Sequence, residues 1–281
     1  MVAAAVMVIC VLGAVFAGWI APHNPFDLAT LNLNDAFTPP SWSNGGKAQY
    51  FLGTDDQGRD VLSTIMFGSR MSLLIGLLAT LLAMFVGVTL GLISGYFGGK
   101  LDAFIMRIAD IQLSFPAILI ALLIGGVAHA VLPREMHDKT AIYVLVFAIA
   151  ASGWVRYART VRGSTLVERS REYVQAARVI GRGPFAIMFT HVLPNVMGPV
   201  LVLATLHIGE AIITEATLSF LGVGVPPTQP SLGTLINNGN NFLFSGEWWI
   251  IVFPGAGLVI LVLAINLLGD WLRDALNPKL R

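Results

Sequence analysis

Residues 71–95 read MSLLIGLLATLLAMFVGVTLGLISG, a run with no charged side chain. A helix needs about 20 apolar residues to cross the hydrocarbon core of a bilayer. The apolar residues here are continuous, without the in–out alternation of a membrane β-barrel strand. Inside lipid every backbone donor and acceptor must be satisfied within the segment, so the run is read as a helix. Five more stretches follow the same pattern: 2–21, about 103–132, 142–161, 195–221 and 248–269. The sequence thus predicts an all-α integral membrane protein with about six transmembrane helices. Residues 1–70 supply the first helix and a long polar segment, and residues 71–281 a five-helix core. The first run has no basic head and no clean small-x-small site, and it continues through Trp19 to Pro22. It is expected to be a retained anchor and not a cleaved signal.

Composition agrees. Of 281 residues, 56% are hydrophobic and 12% charged, whereas soluble domains carry about 25% charged residues. A formal net charge of +1 points to neither nucleic acid nor an acidic partner. Cys10, the single cysteine, lies in an apolar run, so no internal disulfide forms and no Cys/His cluster suggests a metal.

Lysine and arginine set the expected orientation. With six helices both termini share a side, and that side holds twelve of the 17 basic residues, from Lys100 through the arginines of 156–182 to Arg273, Lys279 and Arg281. This side is taken as cytoplasmic, with segments 22–70, 133–141 and 223–247 facing outward.

The largest inward segment, about 162–193, reads RGSTLVERSREYVQAARVIGRGPFAIMFTHVL. Tyr173, Ala176, Ala177 and Ile180 follow the i, i+3, i+4, i+7 spacing of an amphipathic helix, with Arg171, Glu172, Gln175 and Arg178 on much of the other face. Gly181 and Gly183-Pro184 stop it. Such a helix fits either a partner's groove or an anionic lipid surface.

The spacing Gln175-Ala176-Ala177, three residues, Gly181, nine residues, then His191-x-Leu193-Pro194 resembles the EAA loop of bacterial ABC importer permeases. Gln175 stands in place of the usual Glu, with Glu172 one turn earlier, and His191 in place of an apolar residue. FLGTDDQGRDVLSTIMFGSRMSL (51–73), LDAFIMRIADIQLSFPAILIAL (101–122), SFLGVGVPPTQPSLG (219–233) and NLLGDWLRDALNPKLR (266–281) resemble the peptide/nickel subfamily, in particular its C-type member. Leu232 stands where that subfamily usually has Trp. The resemblance implies a type I ABC importer permease with no chemistry of its own. It implies a second permease, two ATPase domains and an extracytoplasmic substrate-binding protein as partners, in the bacterial inner membrane. Within it, the coupling helix docks on the ATPase through Tyr173, Ala176, Ala177 and Gly181, with polar contacts from Arg171, Glu172 and Gln175, and Leu193-Pro194 redirects the chain into the fifth helix.

No G-x-x-x-x-G-K-[ST] occurs, so ATP is expected to be hydrolysed by partner subunits, with no cofactor in this chain. Neither an HExxH motif nor a nucleophile elbow is present, so no enzyme activity is expected. Gly87, Gly91, Gly95 and Gly99 form a small-residue stripe, expected to pack within the chain. His207 and Glu210 share a face of the fifth helix, and Glu215 lies near its outer boundary. Ionisable groups at depth face a cavity or a partner, so His207 and Glu210 are candidates for the translocation path or for a structural pair. Pro116 and Pro254 are expected to bend their helices. Segment 22–70 is either a docking surface or a solvated connector. Two other readings compete: a proton-coupled secondary transporter using His207, Glu210 and Asp110, and a membrane scaffold recruiting a soluble partner through its arginines.

Overall fold

The structure, a computed structural model, describes residues 2–27, 31–226 and 228–275. The predicted inward residues Lys279 and Arg281, and the end of the 266–281 motif, lie outside the described residues. In chain order the helices are α1 (Val2–Val15), α2 (Ala17–Ile20), α3 (Val61–Phe97), α4 (Gly99–Leu113), α5 (Ala117–Val131) and α6 (Arg134–Glu168). They continue as α7 (Glu172–Val179), α8 (Pro184–Ile187), α9 (Leu193–Phe220), α10 (Leu232–Asn240) and α11 (Trp249–Ala275). Among the described residues the only β pairing is an antiparallel bridge between Thr54 and Asp60.

Four helical stretches are long and apolar enough to cross a membrane: α3, α6, α8 through α9, and α11. The expected third span is not one straight helix. It breaks at 114–116, and α4 and α5 meet at a bend of 91°. Pro116 explains the position, because it has no N–H to donate and disfavours helical geometry in the residue before it. Pro254, by contrast, lies inside α11 without ending it. The first span is also interrupted, with α1 giving way at Phe16 to the single turn of α2. Counting each bent pair as one, length and composition give up to five spans, with α1 as a shorter apolar helix.

Helix ends moved outward from the apolar runs. α3 begins at Val61, ten residues before the expected 71, because Asp60 caps it by accepting from Ser63 N at 2.8 Å. The expected outer loop 133–141 is almost entirely the start of α6, which follows α5 after only Leu132 and Pro133. α6 also continues to Glu168, so the loop expected over about 162–193 shortens to 169–183.

α3 and α6 pack face to face along the glycine stripe. A methyl on Gly91 would lie 2.5 Å from the Ala158 carbonyl oxygen, and one on Gly95 would lie 2.7 Å from Thr165 Cβ. Gly87 approaches Trp154 and Tyr157 as closely, whereas Gly99 meets nothing. Three of the four glycines thus serve packing within the chain, where any side chain would force the helices apart.

α10 is built on the outer side from a capping box between Ser231 and Thr234. Leu232 is fully buried beside Ile212, Leu261 and Ile265, so the position that usually holds Trp is filled by a core leucine. Behind it, the Glu215 carboxylate accepts from Ser72 and Ser219 hydroxyls, each at 2.7 Å. Ser72 Oγ also accepts from Leu232 N at 3.3 Å. This fully buried group ties α3, α9 and the start of α10 at one point.

Candidate functional site

The loop 169–183 is short and pinned at both ends. α7 stops at a left-handed Gly181, φ +79°. Arg182 N donates to Ala177 O at 3.1 Å and Gly181 N to Arg178 O at 2.9 Å, the pairing of a Schellman motif. On the other side Arg169 Nη1 donates to Gly95 O at 3.0 Å, fastening the loop to the end of α3. Val174 and Ala177 are buried in a cluster with Tyr96, Ile187 and Met188. Arg178 lies 5.3 Å over the Tyr96 ring, a cation–π contact.

This geometry turns the helix by about one position from the expected stripe. The face buried in its own chain is Val174 and Ala177. Ala176 and Ile180 point away from the chain, and Tyr173 is partly exposed. Glu172, Gln175, Ala176 and Val179 fall at i, i+3, i+4 and i+7 and form the free face. Val179, passed over at the sequence level, is 89% exposed, and Ile180 is 75% exposed. An eight-residue helix carries too little apolar surface to signal which of two adjacent stripes its own chain will claim.

Tyr173 acts as a brace. Its hydroxyl donates to Glu168 and accepts from Asn195 Nδ2 at 3.1 Å, and its ring sits 6.4 Å from that of His191. Burial, reinforced by the Glu168 carboxylate, pushes its phenol up to about 12. Arg171 lies 3.7 Å from Glu168, and Gln175 Nε2 lies 3.4 Å from Arg169 O. The EAA-like spacing therefore places His191 of the returning helix directly beside Tyr173.

Leu193 and Pro194 do not redirect the chain. Pro184 through Phe220 is one 37-residue helix with a π turn over Met188–Val192. Leu193 N bonds to Met188 O, five residues back. Pro194 cannot donate to the carbonyl four residues earlier and would crowd it; the widened turn makes room, so the helix passes through the proline.

Deeper in the molecule, His207 and Glu210 take different partners. His207 is buried, its Nδ1 3.1 Å from Tyr157 Oη and its ring against Gly153. Glu210 pairs with Arg156 through both guanidinium Nη atoms and stays about half exposed. One turn along α6, Arg159 pairs with Asp110, and Arg162 pairs with Asp102 at 2.6 Å and 2.7 Å. None of these arginine pairs was legible in sequence, because the partners stand 49 to 60 residues apart.

At the other end of the molecule the motif 53–60 is a compact hydrogen-bonded unit. Gly53 and Gly58 adopt φ +84° and +75°. Asp55 accepts from Gln57 N and Arg59 N, each at 2.9 Å, and from Arg59 Nε at 2.6 Å. Trp249 Nε1 donates to Thr54 O at 3.0 Å, and Asn238 Nδ2 to Asp56 at 2.7 Å. Between this segment, α6 and the α9–α10 turn lies an open cavity of about 750 Å³. Among the described residues no group of three or more His, Cys, Asp or Glu is placed to hold a metal ion.

The chain is similar to known proteins in sequence and in fold. Residues 87–281 match the family model described as "Binding-protein-dependent transport system inner membrane component". The dipeptide transport system permease protein DppC of Escherichia coli (strain K12) is 43% identical over 276 residues, 98% of this chain and 87% of that protein. The di/tripeptide transport system permease protein DppC of Pseudomonas aeruginosa (strain UCBPP-PA14) is 40% identical over 275 residues, 98% of this chain and 86% of its own length. The oligopeptide transport system permease protein OppC of Bacillus subtilis (strain 168) is 38% identical across the whole chain and 86% of its own length. In fold, the chain resembles a chain of the inward-facing MetNI methionine ABC transporter, with a TM-score of 0.58 and 19% identity over 75% of this chain and 94% of that one. Neither these matches nor the geometry lends support to a proton-coupled carrier. The chain belongs to the family of binding-protein-dependent transport system inner membrane components, and is a multi-pass bacterial membrane transport subunit and not an enzyme.

Proposed function

We propose that this chain carries short peptides through the bacterial inner membrane as one of two unlike permeases. Two ATPase domains drive the pair from the cytoplasmic side, and an extracytoplasmic binding protein delivers the cargo. The observation that carries this reading is identity of 38–43% to dipeptide, di/tripeptide and oligopeptide permeases along 98% or more of the chain. Both termini lie inside in this reading, and the outer segment 31–60 faces the binding protein.

In this reading α7 is the coupling helix. Its free face of Glu172, Gln175, Ala176 and Val179, with Ile180 beside it, enters a cleft on the ATPase. Arg171 and Tyr173 stabilise its start, while Ala177 holds it to α3 and α8. Gly181 ends it, and Leu193 and Pro194 lie on the long helix that carries the motion outward. ATP is bound and hydrolysed by the partners; closure of the ATPase pair moves α7, and the differential contacts of two states move the spans. Glu210 belongs to the polar path, with His207 behind it.

Co-expression with the neighbouring genes and purification in mild detergent tests the reading. We expect an ATPase to co-purify, its activity to rise with peptide-loaded binding protein, and Gly181→Trp to abolish that rise. A chain that purifies without any ATPase, with Gly181→Trp equivalent to wild type, overturns it.

A further inference from the structure

Three arginines of α6, Arg156, Arg159 and Arg162, stand three residues apart, and each meets a carboxylate from a different part of the molecule. Glu210 comes from α9, Asp110 from the end of α4 and Asp102 from its beginning. Tyr157, beside Arg156, packs on Gly87, ten residues before the end of α3 at Phe97. At 1.5 Å per residue that is about 15 Å, half of a hydrocarbon core of about 30 Å. The first rung therefore lies level with the apolar run 71–95, about 15 Å along α3 from its end at Phe97, and the other two step toward that end.

The rungs differ in access. Arg156 and Glu210 are 43% and 45% exposed, and Arg159 and Asp110 are 49% and 54% exposed. Arg162 and Asp102 fall to 34% and 16%. Four half-exposed charges at this depth do not face acyl chains; they need water or a polar occupant. Each rung is already neutral within the chain, so no fixed counter-charge from another protein is required. The ladder is open at its first two rungs and more closed at the third.

We propose that Arg156–Glu210 and Arg159–Asp110 are exchange rungs in the translocation path, holding the carboxylate and ammonium ends of a passing peptide. The proposal rests on the peptide reading above. An arginine released by its own carboxylate takes the peptide's carboxylate, and the freed Glu or Asp takes the ammonium. Every charge keeps a partner at each step, so no ion crosses unpaired. Spacing suits short cargo: the two arginines are about 4.5 Å apart along the helix, and an extended dipeptide spans roughly 7 Å, so its two ends reach adjacent rungs. The third rung, more buried, closes the floor. Arg156 and Arg159 are thereby specificity-determining residues.

The test uses the complete importer in proteoliposomes, with Cys10→Ser as background. Arg159→Cys is exposed to a charged, water-soluble thiosulfonate, and Phe147→Cys, on the exposed apolar side of α6, serves as comparison. We expect Arg159→Cys to react, more slowly during dipeptide turnover, and Phe147→Cys not to react. Failure of Arg159→Cys to react overturns the path assignment whatever the cargo. In parallel, the double variant Arg156→Glu/Glu210→Arg restores the pair in reverse. We expect intact assembly with the ATPase subunits, unchanged KM, and a kcat for dipeptide transport lower by about ten-fold. Dipeptides blocked at both ends should be insensitive to the swap. Full recovery of dipeptide kcat makes the rung structural only and overturns the exchange. A wild-type complex that moves no dipeptide overturns the cargo assignment alone, since the thiol reactivity reads the wall independently.

Discussion

The segment 31–60, outer in the proposed orientation, and the loop 169–183, inner in it, both connect helices, and they are built in opposite ways. The outer one buries its polar groups: Asp35, Thr38, Thr54, Asp55 and Asp60 are each at most 7% exposed. Thr54 Oγ1 donates to Asp35 O at 2.5 Å and accepts from Thr38 N at 2.8 Å, and Tyr50 donates to Asp35 at 3.0 Å. The inner loop buries only Val174 and Ala177 of α7 and leaves Val179 and Ile180 bare. A connector whose hydrogen bonds close within it and on α10 and α11 takes its shape from its own chain. One that shows apolar side chains to water is unfinished until another chain covers it.

The sharpest way to break the contrast is Asp55→Ala. It leaves the Arg59 guanidinium, 11% exposed, without its carboxylate. Losing one member of such a pair costs about 3–5 kcal/mol, so the outer segment should open while the inner loop keeps its contacts. Limited proteolysis of the purified complex reads both at once; equal resistance of wild type and variant would remove the distinction.

A gentler probe is acid. A hydrogen bond from Lys47, supported by Tyr50 and Asn32, holds the Asp35 carboxyl below the usual carboxylate range against the opposing effect of burial. A lowered folded pKa gives stability that is complete above the unfolded value and lost as pH falls through the folded one. Asp55 titrates with the opposite sign, because burial pushes its carboxyl up against the pull of Arg59. The Asp35 contribution is therefore the difference between wild type and Lys47→Met. Wild type should resist proteolysis of the outer segment at neutral pH and lose that advantage over Lys47→Met in acid. A gap between the two proteins that is constant with pH would show that Asp35 is not the source.

The smallest effect on stability sharpens the comparison most. Val179→Ser alters a side chain that is 89% exposed, so the thermal midpoint of the isolated chain should move by the equivalent of no more than about 0.5 kcal/mol. Stimulated ATPase activity of the assembled importer should nevertheless fall. A stability loss without a coupling loss would mean that Val179 packs within this chain.

Much of this was legible in the residues. Continuous apolar runs identify four of the six expected spans, because lipid leaves the backbone few alternatives, whereas run 103–132 is bent and run 2–21 gives only a short helix; Gly181 ends α7 at the expected place. Helix starts were less legible: Asp60 caps α3 from within a polar stretch, so hydropathy alone begins that helix too late. Pro116 announces a break, but the 91° angle depends on what α5 packs against. The choice between adjacent stripes on α7 depends on Tyr96, Ile187 and Met188, which no local pattern on α7 reveals. The arginine ladder is a tertiary fact, with a helical spacing on α6 and carboxylates scattered over α4 and α9.

The unbroken helix from Pro184 to Phe220 has a mechanical consequence. At 1.5 Å per residue it is a rod of about 55 Å, and tilting it by about 10° around its middle swings each tip by about 5 Å in opposite directions. Its lower tip lies beside α7, and near its upper tip Glu215 grips Ser72. In the proposed coupling, a push on the loop 169–183 becomes a pull at the far end within a single element, and the π turn at Met188–Val192 and the proline at Pro199 are places where that stroke can be absorbed.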